Sequence, residues 1–356
     1  MTVLLSRHAE CLFWFGRYTE RTACLARLLE VHSSISQGRT GDAASWSWVL
    51  TLYDDNEAFW KVYDEASAAN VTRFYVSDSE NAGSLHSCIH LARENARTLR
   101  ALISTELWQQ VNTFYNRFRA LPAADLSEAR LAHTCQLVKK ECYAQMGVAD
   151  ATLYRDAAWT FFQLGVLIER ADQMSRLLDV RFAQARNADE IENATMGDFG
   201  YWALLLRSAA AQQSFLRQSH GNRQPERVAR FLIFDTKLPR SIAFCVREID
   251  KSLGELRRTF GLRGDSLALE QVDVLREILQ QASTDPYLVT RLHAFNDNIQ
   301  GHLITLSSEI AMAFFGHPRP DVETVTEPTT NDNGAALGEL SQKPPAPGQS
   351  QSQNSS

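Results

Sequence analysis

A string of residues near the N-terminus returns in the middle of the chain. Gly16-x3-Glu20-Arg21-x5-Arg27-Leu28-Leu29-Glu30-Val31 reappears 149 residues later as Gly165-x3-Glu169-Arg170-x5-Arg176-Leu177-Leu178-Asp179-Val180. A second string behaves the same way. Val71-x-Arg73-Phe74-x3-Asp78-x5-Ser84-x3-Cys88-Ile89 returns 157 residues later as Val228-x-Arg230-Phe231-x3-Asp235-x5-Ser241-x3-Cys245-Val246. Trp48 and Trp202 stand between the two strings, each opening an apolar stretch. Landmarks in one order at similar spacing mean an internal duplication. The copies run from 1 to 148 and from 149 to 317. Two similar units commonly pack about a pseudo-two-fold axis, which would bring their first helices together at the centre. Gly16 and Gly165 suit such a crossing. A mid-helix glycine costs about 1 kcal/mol against alanine, and a close backbone approach is a reason to keep one.

The periodicity inside each copy is helical. Apolar residues recur at three and four positions, as in Leu164, Leu167, Ile168, Ala171, Met174 and Leu178. This pattern predicts helices over 4–32, 44–66, 80–119, 127–146, 150–186, 198–219, 240–260, 268–282 and 286–315. Val71–Val76 and Arg230–Phe234 look strand-like but are short enough to be connectors or brief helices. The fold expected is all-α: a multi-helix bundle of two tandem, diverged repeats about a pseudo-two-fold. After Pro318 the composition turns to Thr, Pro, Gly, Gln, Asn and Ser with few large apolar residues. Such a segment buries too little surface to offset its ordering entropy, so 318–356 is expected to be a disordered tail.

Bulk properties exclude several classes. The net charge of −6 argues against a nucleic-acid surface, which needs a basic footprint. No apolar run approaches the ~20 residues of a spanning helix. The apolar start, Met1 to Leu5, is too short for a signal peptide. The six cysteines form no C-x-x-C pair, and all sit in helical, apolar contexts. They read as buried free thiols of a reducing compartment. The expectation is a cytoplasmic protein with no membrane and no nucleic-acid partner.

Charges on apolar faces supply the candidate chemistry. Ala9, Phe13, Gly16, Glu20, Ala23 and Arg27 line one face of the first helix. Ala158, Phe162, Gly165, Glu169, Asp172 and Arg176 repeat that face in the second copy. Arg21 and Arg170 follow the glutamates and point about 100° away on a regular helix. A second stripe carries Arg7, Glu10, Trp14, Arg17 and Arg21. Arg93, Glu94 and Arg97 form a third cluster, and Arg155 with Trp159 a fourth. A buried charge must be paired, because burying it alone costs several kcal/mol. Two readings follow. One is a glutamate–arginine network that fixes the register of the central helices. The other is a polar pocket on the pseudo-axis. There Glu10, Glu20, Glu94 and Glu169 are the acid–base candidates. Arg7, Trp14, Arg17, Arg21, Arg93, Arg97, Arg155, Arg170 and Asp172 are the candidates for holding an anionic ligand. His86 and His90 are spaced as helical zinc ligands but lack a third, so no metal site is assigned. No phosphate loop, G-x-S-x-G or H-E-x-x-H is present, and no cofactor is assigned.

The string from Leu5-Ser6-Arg7-His8-Ala9-Glu10 to Gly16-Arg17-Tyr18-Thr19-Glu20-Arg21 resembles the alpha-E family, a bacterial helical family. The resemblance continues through Ala92-Arg93-Glu94-Asn95-Ala96-Arg97, Glu169-Arg170-Ala171-Asp172 and Arg176-Leu177-Leu178-Asp179-Val180. It then reaches Phe234-Asp235 and Pro239-Arg240-Ser241, and covers about residues 1–315. It implies proteins encoded beside, or fused to, a circularly permuted ATP-grasp protein and accompanied by a transglutaminase-like peptidase. That setting suggests peptide synthesis or modification through amide bonds. The leading expectation is therefore an accessory or peptide-handling subunit of an ATP-grasp amide ligase, with nucleotide bound by the partner. The alternatives are a stand-alone enzyme with a Glu/Arg-lined pocket at the repeat interface, and a non-catalytic helical scaffold. One departure bears on these. Family members commonly carry an acid shortly after the first Glu-Arg pair; here Asp172 keeps it in the second copy, but Ala23 stands in the first. That favours an asymmetric or structural network.

Overall fold

A computed structural model describes residues 4–36, 44–179, 199–219, 224–261 and 266–319. Among these the chain is all-α. The first half holds α1 (Ser6–Ser36), α2 (Ala44–Tyr53), α3 (Asn56–Trp60), α4 (Ala68–Val76), α5 (Leu85–Thr98), α6 (Thr105–Arg119) and α7 (Leu131–Thr152). The second holds α8 (Ala157–Asp179), α9 (Phe199–Ser208), α10 (Gln212–Ser219), α11 (Pro225–Phe234), α12 (Ile242–Arg258), α13 (Ser266–Ser283) and α14 (Leu292–Ile310). A single 3-10 turn precedes both α7 and α14, at Glu128–Arg130 and Val289–Arg291. Among the described residues the duplication read from two strings thus extends to seven helices in the same order in each half. The tail expected over 318–356 falls outside the described residues beyond Arg319.

The helices pair alike in both halves. α1 packs on α5 and α7, and α6 packs on both of those. α8 packs on α12 and α14, and α13 packs on both of those. The result is two four-helix groups joined through α1 and α8, which pack along each other. Gly16 and Gly165 sit where they meet. A Cβ built on Gly16 would lie 3.1 Å from the Val166 backbone nitrogen and deep inside contact with the Phe162 carbonyl oxygen. One built on Gly165 would lie 2.8 Å from the Phe13 carbonyl carbon and closer still to its oxygen. Each glycine therefore lets the other helix's backbone approach. Phe15 packs against Phe162 nearby, with tilted rings and centroids 5.3 Å apart. The chain returns to this seam at its end, where Phe315 packs on Phe13 at 5.4 Å.

The second repeated string proves to be a turn with a cap. Ser84 donates to the Asp78 carbonyl at 2.6 Å and accepts from the Ser87 N–H at 3.1 Å. Ser241 donates to the Asp235 carbonyl at 2.5 Å and accepts from the Phe244 N–H at 3.0 Å. Both serines are fully buried, and each begins a long helix by satisfying an orphan N–H. That accounts for the fixed Asp-x5-Ser spacing.

Several predicted spans are corrected. The spans 44–66 and 198–219 each break, at Asp54 (φ 58°) and Ala210 (φ 53°). In both places the residue after the break returns its N–H five residues back, Asp55 to Leu50 at 2.9 Å and Ala211 to Leu206 at 2.8 Å. This is a left-handed helix stop built without its usual glycine. The span 80–119 is two helices, divided at Ser104, which caps α6 by accepting from the Leu107 N–H at 3.0 Å. The strand-like runs are helical, in α4 and α11. The fully buried tryptophan of α2 is Trp46, with Trp48 half-buried, while Trp202 is buried in α9.

Candidate functional site: a buried glutamate–arginine network

Four residues beyond each central glycine, and so one turn along the seam, stand Glu20 and Glu169. They are 2% and 0% exposed, which shuts both carboxylates away from bulk water. Each is met by the arginine of the opposite copy. Arg21 donates to Glu169 from Nε at 2.6 Å and from Nη2 at 3.0 Å. Arg170 donates to Glu20 from Nη2 at 2.9 Å. The sequence position that turns the arginines away from the glutamate of their own helix is what aims them across the seam.

A second arginine completes each site, and here the copies differ. Glu169 also accepts from Arg17 Nε at 2.8 Å and from Gln173 Nε2 at 3.1 Å. Glu20 accepts from Arg240 and from the Cys24 thiol at 3.4 Å. The position equivalent to Arg17 is Val166, and that equivalent to Arg240 is Gly83. Divergence has thus moved the second cation from the central helix to the start of α12. Tyr53 donates to Gln173 Oε1 at 3.0 Å and extends the network into α2. Arg240, Cys24, Gln173 and Tyr53 were not singled out in the sequence. Pro239-Arg240-Ser241 stood in the family resemblance, but only the fold shows that its arginine faces the seam.

The electrostatics follow from this crowding of cations. Burial by itself pushes the Glu169 carboxyl up, but Arg21 and Arg17 outweigh it and bring the pKa down to about 2. Burial pushes Glu20 up as well, and Arg170 and Arg240 hold it well below the usual carboxylate range. A general base works best with a pKa near the operating pH. Carboxylates this acidic, each already held by two arginines, are poor proton acceptors at neutral pH. The space beside them is small as well. A cavity lined by Cys24, Tyr53, Arg170, Gln173, Ser208 and Arg240 spans about 370 Å³ between atoms, of which about 30 Å³ is open to the centre of a water molecule. That is room for about one water. Each glutamate thereby ties α1 to α8 through charge-assisted hydrogen bonds.

The other candidates lie elsewhere. Glu10 bonds His317 at 2.9 Å. Arg7 is exposed. Trp14 stacks on Tyr18 with centroids 5.5 Å apart and lies under Arg17. Glu94 pairs with Arg93 and Arg97 at 2.5 and 2.6 Å. Arg93 also reaches Asn112 at 3.0 Å and covers Tyr115. Asp172 pairs with Arg176 one turn on, at 3.0 Å; with Ala23 in its place, the first copy instead sends Arg27 to the Tyr143 hydroxyl at 2.7 Å. Arg155 lies over the Trp159 ring at 3.5 Å. Trp159, with Gln163, Arg170, Phe244, Glu248 and Lys251, lines an open groove of about 420 Å³ between α8 and α12. Four of the six cysteines are fully buried, but Cys11 and Cys24 are half-buried, which corrects the expectation for those two. No described helix is long and apolar enough to cross a membrane.

Residues 4–315 match Alpha-E, described as a predicted α-helical domain with a conserved ER motif. The chain belongs to the Alpha-E family. A Glu-Arg pair stands at the same place in each copy, as Glu20-Arg21 and Glu169-Arg170, and each pair's glutamate is answered by the other's arginine. The chain is also similar to uncharacterized proteins of Mycobacterium bovis and of two strains of Mycobacterium tuberculosis. Each is 24% identical over 292 residues, covering 76% of this chain and 32% of the relative. The chain thus spans about a third of the length of the curated relatives it matches. No solved structure matches it.

Proposed function

We propose that this chain is an accessory, peptide-handling subunit of a cytoplasmic ATP-grasp amide-ligase system, and that its ER network is structural. The observation that carries the non-catalytic part is that each buried carboxylate is already held by two arginines and a further donor. Glu169 accepts from two arginines and a glutamine, Glu20 from two arginines and a thiol. The partnership rests on the family setting that the sequence resemblance implies. In the mycobacterial relatives the matched region is about a third of a longer chain, so a unit like this one stands there beside further sequence. The groove between α8 and α12 is where a peptide would lie. It offers aromatic surface from Trp159 and Phe244 and both signs of charge from Glu248, Lys251 and Arg170.

The test is affinity purification of the tagged chain from its native cytoplasm at mild salt, with mass spectrometry of what accompanies it. An ATP-grasp protein among the retained partners is the expected result, together with a peptide that accompanies the wild type and is lost on Phe244→Asp in the groove. Recovery of the chain alone at good yield would overturn the accessory reading and favour a stand-alone enzyme.

A further inference from the structure

Beyond the seam, the far end of α8 carries a second polar cluster with a different balance of charge. Asp179 closes α8, and His293 and Asp297 lie on α14. His293 Nδ1 is 2.7 Å from Asp179 Oδ1, and its Nε2 is 3.5 Å from Asp297 Oδ2. One donor atom from each of the three lies within 4.8 Å of the other two. His293 and Asp297 are i and i+4, so both project from one face of α14. Asp179 faces them from the neighbouring helix. Metal sites of helix bundles are built in this way, from side chains on facing helices.

Charge separates this cluster from an ordinary ion pair. Two carboxylates share one imidazole, so the group carries net negative charge whether or not the imidazole is protonated. Among the described residues, no lysine or arginine pairs with either acid. The other half of the molecule shows what a structural tie looks like at this place. Glu30, the equivalent of Asp179, is neutralised by Lys139 of α7. Counting from the first residue of each helix, Gln300 replaces Lys139 in α14, and His293 and Asp297 replace Ala132 and Gln136. The second copy has lost the lysine and gained an imidazole and a carboxylate.

A second observation points into the same place. Asn296 is fully buried between His293 and Asp297 in sequence. Its amide faces the Asp179 carboxylate loosely, close enough to favour its charged form, and its buried Oδ1 has no partner. A buried amide in that condition normally answers to a ligand or ordered water.

We propose that Asp179, His293 and Asp297 form a binding site for a divalent first-row transition ion of the zinc class, with the Asn296 amide beside it. The donor set, one imidazole and two carboxylates, is that of a nitrogen–oxygen site without thiolate. Bonds of about 2.0–2.2 Å draw the three donors together by rotation of His293 and of the exposed Asp297. Three protein ligands leave a fourth tetrahedral position for water or an external group. The ion would tie α8 to α14 where the first copy uses Glu30 and Lys139. It does not depend on a ligase partner.

The test uses the full chain stripped with EDTA and titrated with ZnCl2 by calorimetry, with CoCl2 as a visible probe. One equivalent of zinc is expected. The cobalt spectrum should show d–d bands without thiolate charge transfer. Asp297→Asn and His293→Gln should each weaken binding by at least about tenfold, the lower end of what even an outer-sphere partner contributes. Asp297 is 61% exposed, so its variant should keep the wild-type Tm in EDTA and lose only the rise that zinc gives. Failure to bind zinc at millimolar concentration would overturn the proposal. So would wild-type affinity in both variants, or a thiolate band placing the ion on cysteine.

Discussion

Gly165→Ala isolates the close approach of α1 and α8. The new Cβ would sit 2.8 Å from the Phe13 carbonyl carbon. Carbon atoms pack at about 3.5 Å or beyond, so α1 must retreat by at least roughly 0.7 Å. One turn further along, the same retreat stretches the Arg17 and Arg21 bonds to Glu169, now 2.8 and 2.6 Å, towards the limit of hydrogen bonding. Overpacking costs about 1–3 kcal/mol, and loosening the buried Glu169 pairs adds roughly 2 more, part of the about 3–5 kcal/mol of a full break. The gain in helix propensity returns about 1 kcal/mol. The net expected loss is about 2–4 kcal/mol. Gly147→Ala in α7 is the control, because its Cβ would meet nothing within 4 Å; there the propensity gain should stand alone and stabilise by up to about 1 kcal/mol. Urea unfolding followed by far-UV circular dichroism measures both. Gly16→Ala combined with Gly165→Ala should cost less than the sum of the two, since one separation relieves both clashes. If Gly165→Ala stabilised as Gly147→Ala does, the tight seam would be refuted.

Other outcomes follow from the same geometry. Both network carboxyls have pKa values depressed by folding, so their stabilisation is complete above the unfolded value of about 4.3. It is lost as pH falls from there towards about 2, where the unfolded chain binds more protons. Two such groups give a slope of about 2.7 kcal/mol per pH unit inside that window. Urea midpoints at stepped pH should show it, and a flat profile there would contradict the assigned pKa directions. Ala210→Gly should raise stability by about 1 kcal/mol, because alanine at φ 53° carries the left-handed penalty that glycine escapes; a lower thermal midpoint would show that the stop is not strained.

The long elements and the central seam were legible in the sequence because they repeat. Gly16, Glu20, Gly165 and Glu169 share a spacing that places them on one face, and the duplication predicts that the faces meet. The turn-and-cap string, Asp78 to Ser84, was visible as a repeat before its hydrogen bonds gave it a reason. What was not legible came from long-range geometry or from residues used against type. Arg240 lies 220 positions from Glu20 and has glycine as its repeat partner, so neither local pattern nor symmetry points to it. Ala210 stops its helix in a left-handed conformation that alanine seldom adopts, so no local signal marks it, whereas Asp54 belongs to a residue type that tolerates that conformation. Glu94 with Arg93 and Arg97 looked like part of the central pocket, but α5 turns that cluster towards Asn112 on α6. His293-x3-Asp297 was readable as a helical pair, yet only the fold brings Asp179 to it.

The structural role of the ER motif is tested most directly by the unfolding free energy of Glu169→Gln. Removing this carboxylate leaves Arg17 and Arg21 facing a neutral amide in a buried seam, and breaking a buried pair on one side costs about 3–5 kcal/mol. The expected result is a loss of that size in the urea unfolding free energy of the full chain. A variant within about 0.5 kcal/mol of wild type would show that the network does not hold the helices together, and would return Glu169 to the role of a reactive group.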